Sequence, residues 1–125
     1  MKVVVTIPAF NEEKTIGRIV KSIKEVINKR NYNYQILVVD DGSKDNTASN
    51  ARKAGAVVYS HPKNYGLADT FTTEIAKSLG LKADVIVHID ADMQYQPKEI
   101  PKLLDGINKG YDLVLGSRFK GKIEE

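Results

Sequence analysis

Short β-branched runs alternate with longer stretches of helical period along this chain, and that alternation limits the fold more than any single motif does. The first run, 2–7, is apolar on both alternating faces and is bounded by Pro8, as expected of a parallel strand covered on both sides. Asn11 is then placed to cap a helix. Glu12 and Glu13 fall in its first turn, Ile16, Ile19, Val20, Ile23 and Ile27 form its apolar stripe, and Lys29 and Arg30 close it. The pattern repeats with a strand over 35–39, a helix over about 45–54, a short strand over 56–59 and a helix around 69–79. A strand over 84–89 follows, then a helix opened by Pro97 with Ile100, Leu103, Leu104 and Ile107 turned inward, then a strand over 112–115. Such alternation implies right-handed crossovers and an α/β fold, a doubly wound, mostly parallel sheet with helices on both faces.

Ligands in such folds bind beyond the carboxyl ends of the strands, so the segments to read for chemistry are 8–12, 40–43, 90–94 and 116–118. Three of these four carry acidic side chains. At 125 residues, 42% of them hydrophobic, the chain is the size of one domain with a real core, and 1–125 is expected to be that single domain. The net charge of +3 comes from Lys and Arg scattered along the chain rather than gathered in a block, which argues against nucleic acid as a partner. With no cysteine, any metal must sit on oxygen or imidazole. No apolar stretch approaches the ~20 residues of a membrane-spanning helix and the start shows no secretory pattern, so a soluble, cytoplasmic chain is expected. Its end just after the fifth strand suggests a fragment.

The sharpest signal is Asp90-Ala91-Asp92-Met93-Gln94, leaving the apolar strand. Two carboxylates one residue apart can turn toward one point, where they repel each other unless a cation is present. Mg²⁺ or Mn²⁺ suits that need, with Gln94 adding a neutral oxygen. The plainer reading is a turn or a helix cap. Asp40-Asp41-Gly42-Ser43 ends the second strand, where a carboxylate can accept hydrogen bonds from a ribose or a base; the plainer reading is an Asp-Gly turn with Ser43 or Asp45 capping the next helix. Phe10 can stack on a flat base or fill the core, and Glu12 can meet a ligand or complement a helix dipole. Arg118, after the last strand, can grip phosphate oxygens in a planar fork or be a solvated surface residue. His88 shares Asp90's face of its strand and His61 lies in a loop before Pro62; both are expected to be structural.

Together these loops resemble glycosyltransferase family 2, whose members have the GT-A nucleotide-diphospho-sugar transferase fold. The resemblance rests on Pro8-Ala9-Phe10-Asn11-Glu12, Val38-Val39-Asp40-Asp41-Gly42-Ser43 with Asp45 and Thr47, Asp90-Ala91-Asp92-Met93-Gln94 with Pro97, Ile100 and Pro101, and Gly116-Ser117-Arg118-Phe119. The stretch 90–101 is similar to the dolichol-phosphate mannose synthase branch. The resemblance implies that Pro8, Phe10, Glu12, Val39 and Asp41 line a nucleoside pocket. It further implies that Asp90, Asp92 and Gln94 hold Mg²⁺ or Mn²⁺ on the diphosphate, that Ala91 lies beside the sugar nucleotide, and that Arg118 meets phosphate, with Asp92 and Arg118 as the catalytic pair. The implied reaction is an inverting transfer of a hexose from a GDP-mannose or UDP-glucose type of donor to a polyprenyl or dolichyl phosphate, or to a sugar hydroxyl. A lipid acceptor would place the protein at the cytoplasmic face of a membrane.

The family often carries Gly-x-Gly followed by small residues and a basic residue at the entry to the third helix, a pattern from which this chain departs at Ala68, Asp69 and Glu74, and the chain ends before the half that binds acceptor in family members. The alternatives are a non-catalytic nucleotide-sugar-binding domain or truncated piece, and, further off, a phosphate-accepting signalling domain.

Overall fold

The computed structural model describes residues 2–29 and 33–89 with their side chains, and the backbone of residues 113–115. Five parallel strands form one sheet: β1 (Lys2–Ala9), β2 (Asn33–Asp40), β3 (Val57–Ser60), β4 (Val85–His88) and β5 (Leu113–Leu115). Three helices are described, α1 (Ile16–Asn28), α2 (Thr47–Ala54) and α3 (Leu67–Gly80). The expected helix after Pro97 lies outside the described residues. Spatial order is β3-β2-β1-β4-β5. The chain therefore winds outward from β1 through β2 to β3, then crosses back to place β4 on the other side of β1. That reversal creates a crevice between the carboxyl ends of β1 and β4.

Backbone hydrogen bonds continue the sheet one step past each strand. Asp41 N–H donates to the Ala9 carbonyl at 2.8 Å, His61 N–H to the Asp40 carbonyl at 2.8 Å and Ile89 N–H to the Thr6 carbonyl at 2.9 Å. The exits of β2, β3 and β4 are thereby fixed along one edge. β1 runs two residues further than the sequence predicts and includes Pro8, paired in register with Val39. Thr6 meets Ile89 on the β4 side, so two residues on the missing Pro8 N–H also falls on that side, where pairing has already ended at Thr6 and His88. Proline therefore costs no ladder bond there.

The expected stripe of α1 is the observed one: Ile16, Ile19, Val20, Ile23 and Ile27 are all buried, against Val3, Val5, Ile7, Val38, Val85 and Val87. The start of α1 corrects the sequence expectation. Asn11 does not cap it; the helix begins at Ile16 with Thr15 at the N-cap, and Asn11 is left-handed at φ 53°. The cause is tertiary. Asn11, Glu12 and Glu13 spend their N–H groups on Ser43 Oγ at 2.7 Å, Thr47 Oγ1 at 2.8 Å and Asp45 Oδ2 at 3.3 Å, so the segment is drawn into a second loop instead of winding into a helix. Among the described residues no helix is long and apolar enough to cross a membrane.

Candidate functional site

Two loops at the carboxyl edge are zipped together. The 11–13 segment donates to 43–47 as described, and the reverse bonds run from Lys44 N–H to Asn11 Oδ1 at 3.1 Å, from Asn46 N–H to Glu13 Oε1 at 3.1 Å and from Asn50 Nδ2 to the Glu13 carbonyl at 3.0 Å. Within the second loop, Asp40 Oδ1 accepts Ser43 N–H at 3.1 Å while Gly42 turns the chain at φ 79°. Any Cβ at Gly42 would lie 2.3 Å from the Lys63 carbonyl carbon, so both the left-handed turn and the approach of the 61–66 segment require glycine. Asp45 Oδ1 accepts Thr47 N–H at 3.0 Å and caps the start of α2 from one residue outside it, in keeping with the plainer sequence reading.

The two members of the first acidic pair face opposite ways, as neighbours leaving a strand must. Asp40 belongs to the α1/α2 side and accepts from Ser43 N–H and Ser60 Oγ. Asp41 shares the α3 side with Val39 and is buried. Its Oδ1 accepts from His61 Nδ1 at 2.8 Å and Tyr65 N–H at 2.9 Å, and its Oδ2 accepts from Gly66 N–H at 2.9 Å. Burial alone would push the Asp41 carboxyl up, but the hydrogen bonds from His61, Tyr65 and Gly66 and the charge of His61 outweigh it and hold the group below its ordinary value of 3.8. Gly66 is the N-cap of α3, so an internal carboxylate already sits at the positive end of that helix. This end of α3 is thereby spent on Asp41.

Of the sequence-predicted nucleoside residues, Pro8, Val39 and Asp41 come together at the carboxyl edge on the α3 side, with Val39 fully buried beneath the edge. Phe10 is exposed by 43% and lines a separate cleft of about 640 Å³ over the ends of β2 and β3, with Asp40, Gly42, Ser43, His61 and Asn64 among its walls. Glu12 sits at the loop zipper, its carbonyl accepting the N–H groups of Thr15 and Ile16. Asp90, Ala91, Asp92, Gln94 and Arg118 lie outside the described residues. β4 brings the last described residue before them, Ile89, beside Thr6 at the crevice next to β1. Among the described residues no group of three or more His, Cys, Asp or Glu side chains could hold a metal ion, and both oxygens of Asp40 and of Asp41 are engaged within the protein.

Two features escape the sequence reading. The loop zipper joins residues more than thirty positions apart, and no local pattern announces it. Glu74 stood out only as a departure from the family pattern, yet it is 1% exposed on α3, with Oε1 at 2.6 Å from Nδ1 of His88. The available signal was its place in Thr70, Glu74, Ser78, a four-residue spacing whose members are all buried.

The model of the glycosyl transferase family 2 matches residues 4–125. An uncharacterized protein of Methanocaldococcus jannaschii is 41% identical over 124 residues, covering 98% of this chain and 49% of that protein. The dolichol-phosphate mannosyltransferase of Pyrococcus furiosus is 35% identical over 130 residues, covering 99% of this chain and 36% of that enzyme. Among solved structures, glucosyl-3-phosphoglycerate synthase from Mycobacterium tuberculosis in complex with Mn²⁺, uridine-diphosphate-glucose and phosphoglyceric acid matches with a TM-score of 0.70 at 28% identity, over 87% of this chain and 40% of that one. The chain thus spans about half or less of the length of these relatives.

Proposed function

The chain belongs to glycosyl transferase family 2, and from that premise we propose that residues 1–125 are the donor-binding domain of a metal-dependent, inverting glycosyltransferase. The observation that carries the reading is the common edge: Pro8, Val39 and Asp41 stand together there, and β4 leads to Ile89, the residue before Asp90 in the sequence, at the neighbouring crevice. Support comes from the relatives, one a mannosyltransferase acting on dolichol phosphate by name, another solved with Mn²⁺ and UDP-glucose.

In this reading Pro8, Val39 and Asp41 form the nucleoside pocket at the edge, Phe10 in the neighbouring cleft and Glu12 at the loop zipper stand apart from it, and Ala91 lies beside the sugar nucleotide. Asp90, Asp92 and Gln94 hold a divalent cation, Mg²⁺ or Mn²⁺. Their donors are all hard oxygens on a chain without cysteine, which fits such an ion. When bound, the ion supplies positive charge to the departing diphosphate. Arg118 offers a planar pair of N–H donors to the same phosphates, and the pocket holds the anomeric carbon open to attack from the face opposite the leaving group. Asp92 and Arg118 are accordingly the residues on which turnover depends. A polyprenyl phosphate acceptor is anionic near neutral pH and needs no general base, whereas a sugar hydroxyl does. The dolichol-phosphate relative favours the lipid phosphate as acceptor, at a membrane surface.

A thermal-shift screen with GDP, UDP and their mannose and glucose conjugates, with and without Mn²⁺, tests this directly. A ligand that binds only the native state raises its stability by mass action. The expected result is a rise in Tm with one nucleotide diphosphate that requires the metal; no rise with any of them would refute the reading.

A further inference from the structure

Asp41, His61, Thr73 and Asp69 form one continuous hydrogen-bonded chain between the end of β2 and α3. His61 Nδ1 lies 2.8 Å from Asp41 Oδ1, His61 Nε2 lies 2.8 Å from Thr73 Oγ1, and the Thr73 hydroxyl donates to the Asp69 carbonyl at 3.0 Å. The carboxylate of Asp41 only accepts, so Nδ1–H donates to it, and the other ring nitrogen is anchored on the Thr73 hydroxyl. The ring is held from both sides, by Tyr65 at a centroid distance of 4.6 Å and by Tyr59 edge-on at 6.0 Å. His61 and Asp41 are 6% and 5% exposed. Asp41 Oδ1 is saturated by His61 and Tyr65, whereas among the described residues Oδ2 accepts only from Gly66, which leaves it one further acceptor position.

We propose that His61 is the positioning residue that sets base selectivity: by anchoring Asp41 Oδ1 it reserves the remaining acceptor position of Oδ2 for a nucleobase with a ring N–H, uracil or guanine, and against one with a bare ring nitrogen, cytosine or adenine. The inference rests on the nucleoside role given to Asp41 above and adds the group that enforces it. A bare ring nitrogen and a carboxylate oxygen both present lone pairs, so neither can donate and the pair repels. His61 does not touch the base. It acts by holding Asp41 Oδ1; without that N–H the carboxylate is less firmly held, Oδ2 no longer keeps its place as a fixed acceptor, and the preference weakens.

Calorimetric titration of the 125-residue chain with UDP, CDP, GDP and ADP in the presence of Mn²⁺ reads this selectivity. The wild-type chain is expected to bind UDP and GDP about 100-fold more tightly than CDP and ADP, as a hydrogen bond to a buried charge allows. His61→Phe keeps a ring against Tyr65 but removes the Nδ1–H donor, and is expected to reduce that preference to roughly threefold or less by loss of the charged hydrogen bond. His61→Gln, which can still donate to Asp41, is expected to restore much of it, and a purely structural role would not produce that order. An unchanged preference in folded His61→Phe overturns the proposal. Should that variant fail to fold, Thr73→Val decides, because it removes only the anchor of Nε2: a narrowed preference supports the proposal and an unchanged one overturns it. A wild-type chain that binds all four nucleotides alike overturns this inference alone, and one that binds none overturns the donor-binding reading with it.

Discussion

The two faces of the sheet are built from different chemistry. On the α1/α2 side the described residues form a large aliphatic cluster, with Val3, Val5 and Ile7 of β1 meeting Ile16, Val20 and Ile23 of α1 and Ala51 of α2. On the α3 side only Val4, Leu37 and Val39 form a small apolar cluster. Beside it the inward stripe of α3 is Thr70, Glu74 and Ser78, opposite Thr6 and His88, while the apolar Leu67 and Leu79 of the same helix point outward. Among the described residues Thr6 Oγ1, Glu74 Oε2 and Ser78 Oγ are buried without a hydrogen-bond partner. The lesson is a division of labour. One face holds the domain together, and the other gives up apolar burial for polar groups beneath the edge where Asp41 and Ile89 lie.

Substitutions on each face should separate stability from binding. The largest effect is expected from Ile23→Ala, which empties a fully buried site on the aliphatic face and should cost about 4 kcal/mol in chemical denaturation while leaving nucleotide affinity of the folded molecules unchanged. Asp41→Ala, on the other side, strands His61 and two backbone N–H groups and should cost about 3 kcal/mol together with most of the nucleotide affinity. A stability cost as large as that of Ile23→Ala with binding intact would erase the contrast between the faces. Because the Asp41 pKa is depressed by folding, its contribution is present above the ordinary value of 3.8 and fades as pH falls through the lower folded value. The wild type should therefore lose stability relative to Asp41→Ala on acidification below about pH 4, measured by denaturation midpoints at stepped pH.

Glu74→Gln keeps the shape of the buried stripe and exchanges a carboxylate bond to His88 for an amide one; about 1 kcal/mol of destabilisation is expected from denaturant unfolding. Leu67→Ser, at a side chain 81% exposed, should change stability by less than about 0.5 kcal/mol, since apolar character on the outside of α3 contributes nothing to the core. A large loss there would mean that the outer surface of α3 is covered.

Period and β-branching made the aliphatic face legible in the sequence. The five isoleucine and valine positions of α1 are the buried ones, and the strand runs fall where expected within a residue or two. Strand-helix alternation likewise placed Asp41 at the carboxyl edge. What the sequence did not disclose is set by distant partners. Asn11 reads as a helix cap because its neighbours Glu12 and Glu13 suit a first turn, yet Ser43, Asp45 and Thr47 compete for the same N–H groups and win. Glu74 stands in the sequence only as a departure from the family pattern, and only the packing of α3 over His88 reveals it as buried. His61 was expected to be structural; its bond to Asp41 shows what it holds in place.

The proposed function requires Asp90 and Asp92 to hold a divalent cation that grips the diphosphate of a nucleotide bound at this edge. Calorimetry of the GDP or UDP that binds, on wild-type and Asp92→Ala chains with and without Mn²⁺, measures that requirement. Affinity is expected to depend on the metal in the wild type and to disappear in an Asp92→Ala chain whose unfolding curve is unaltered. Equal affinity with and without Mn²⁺, or equal affinity in the folded variant, would contradict it.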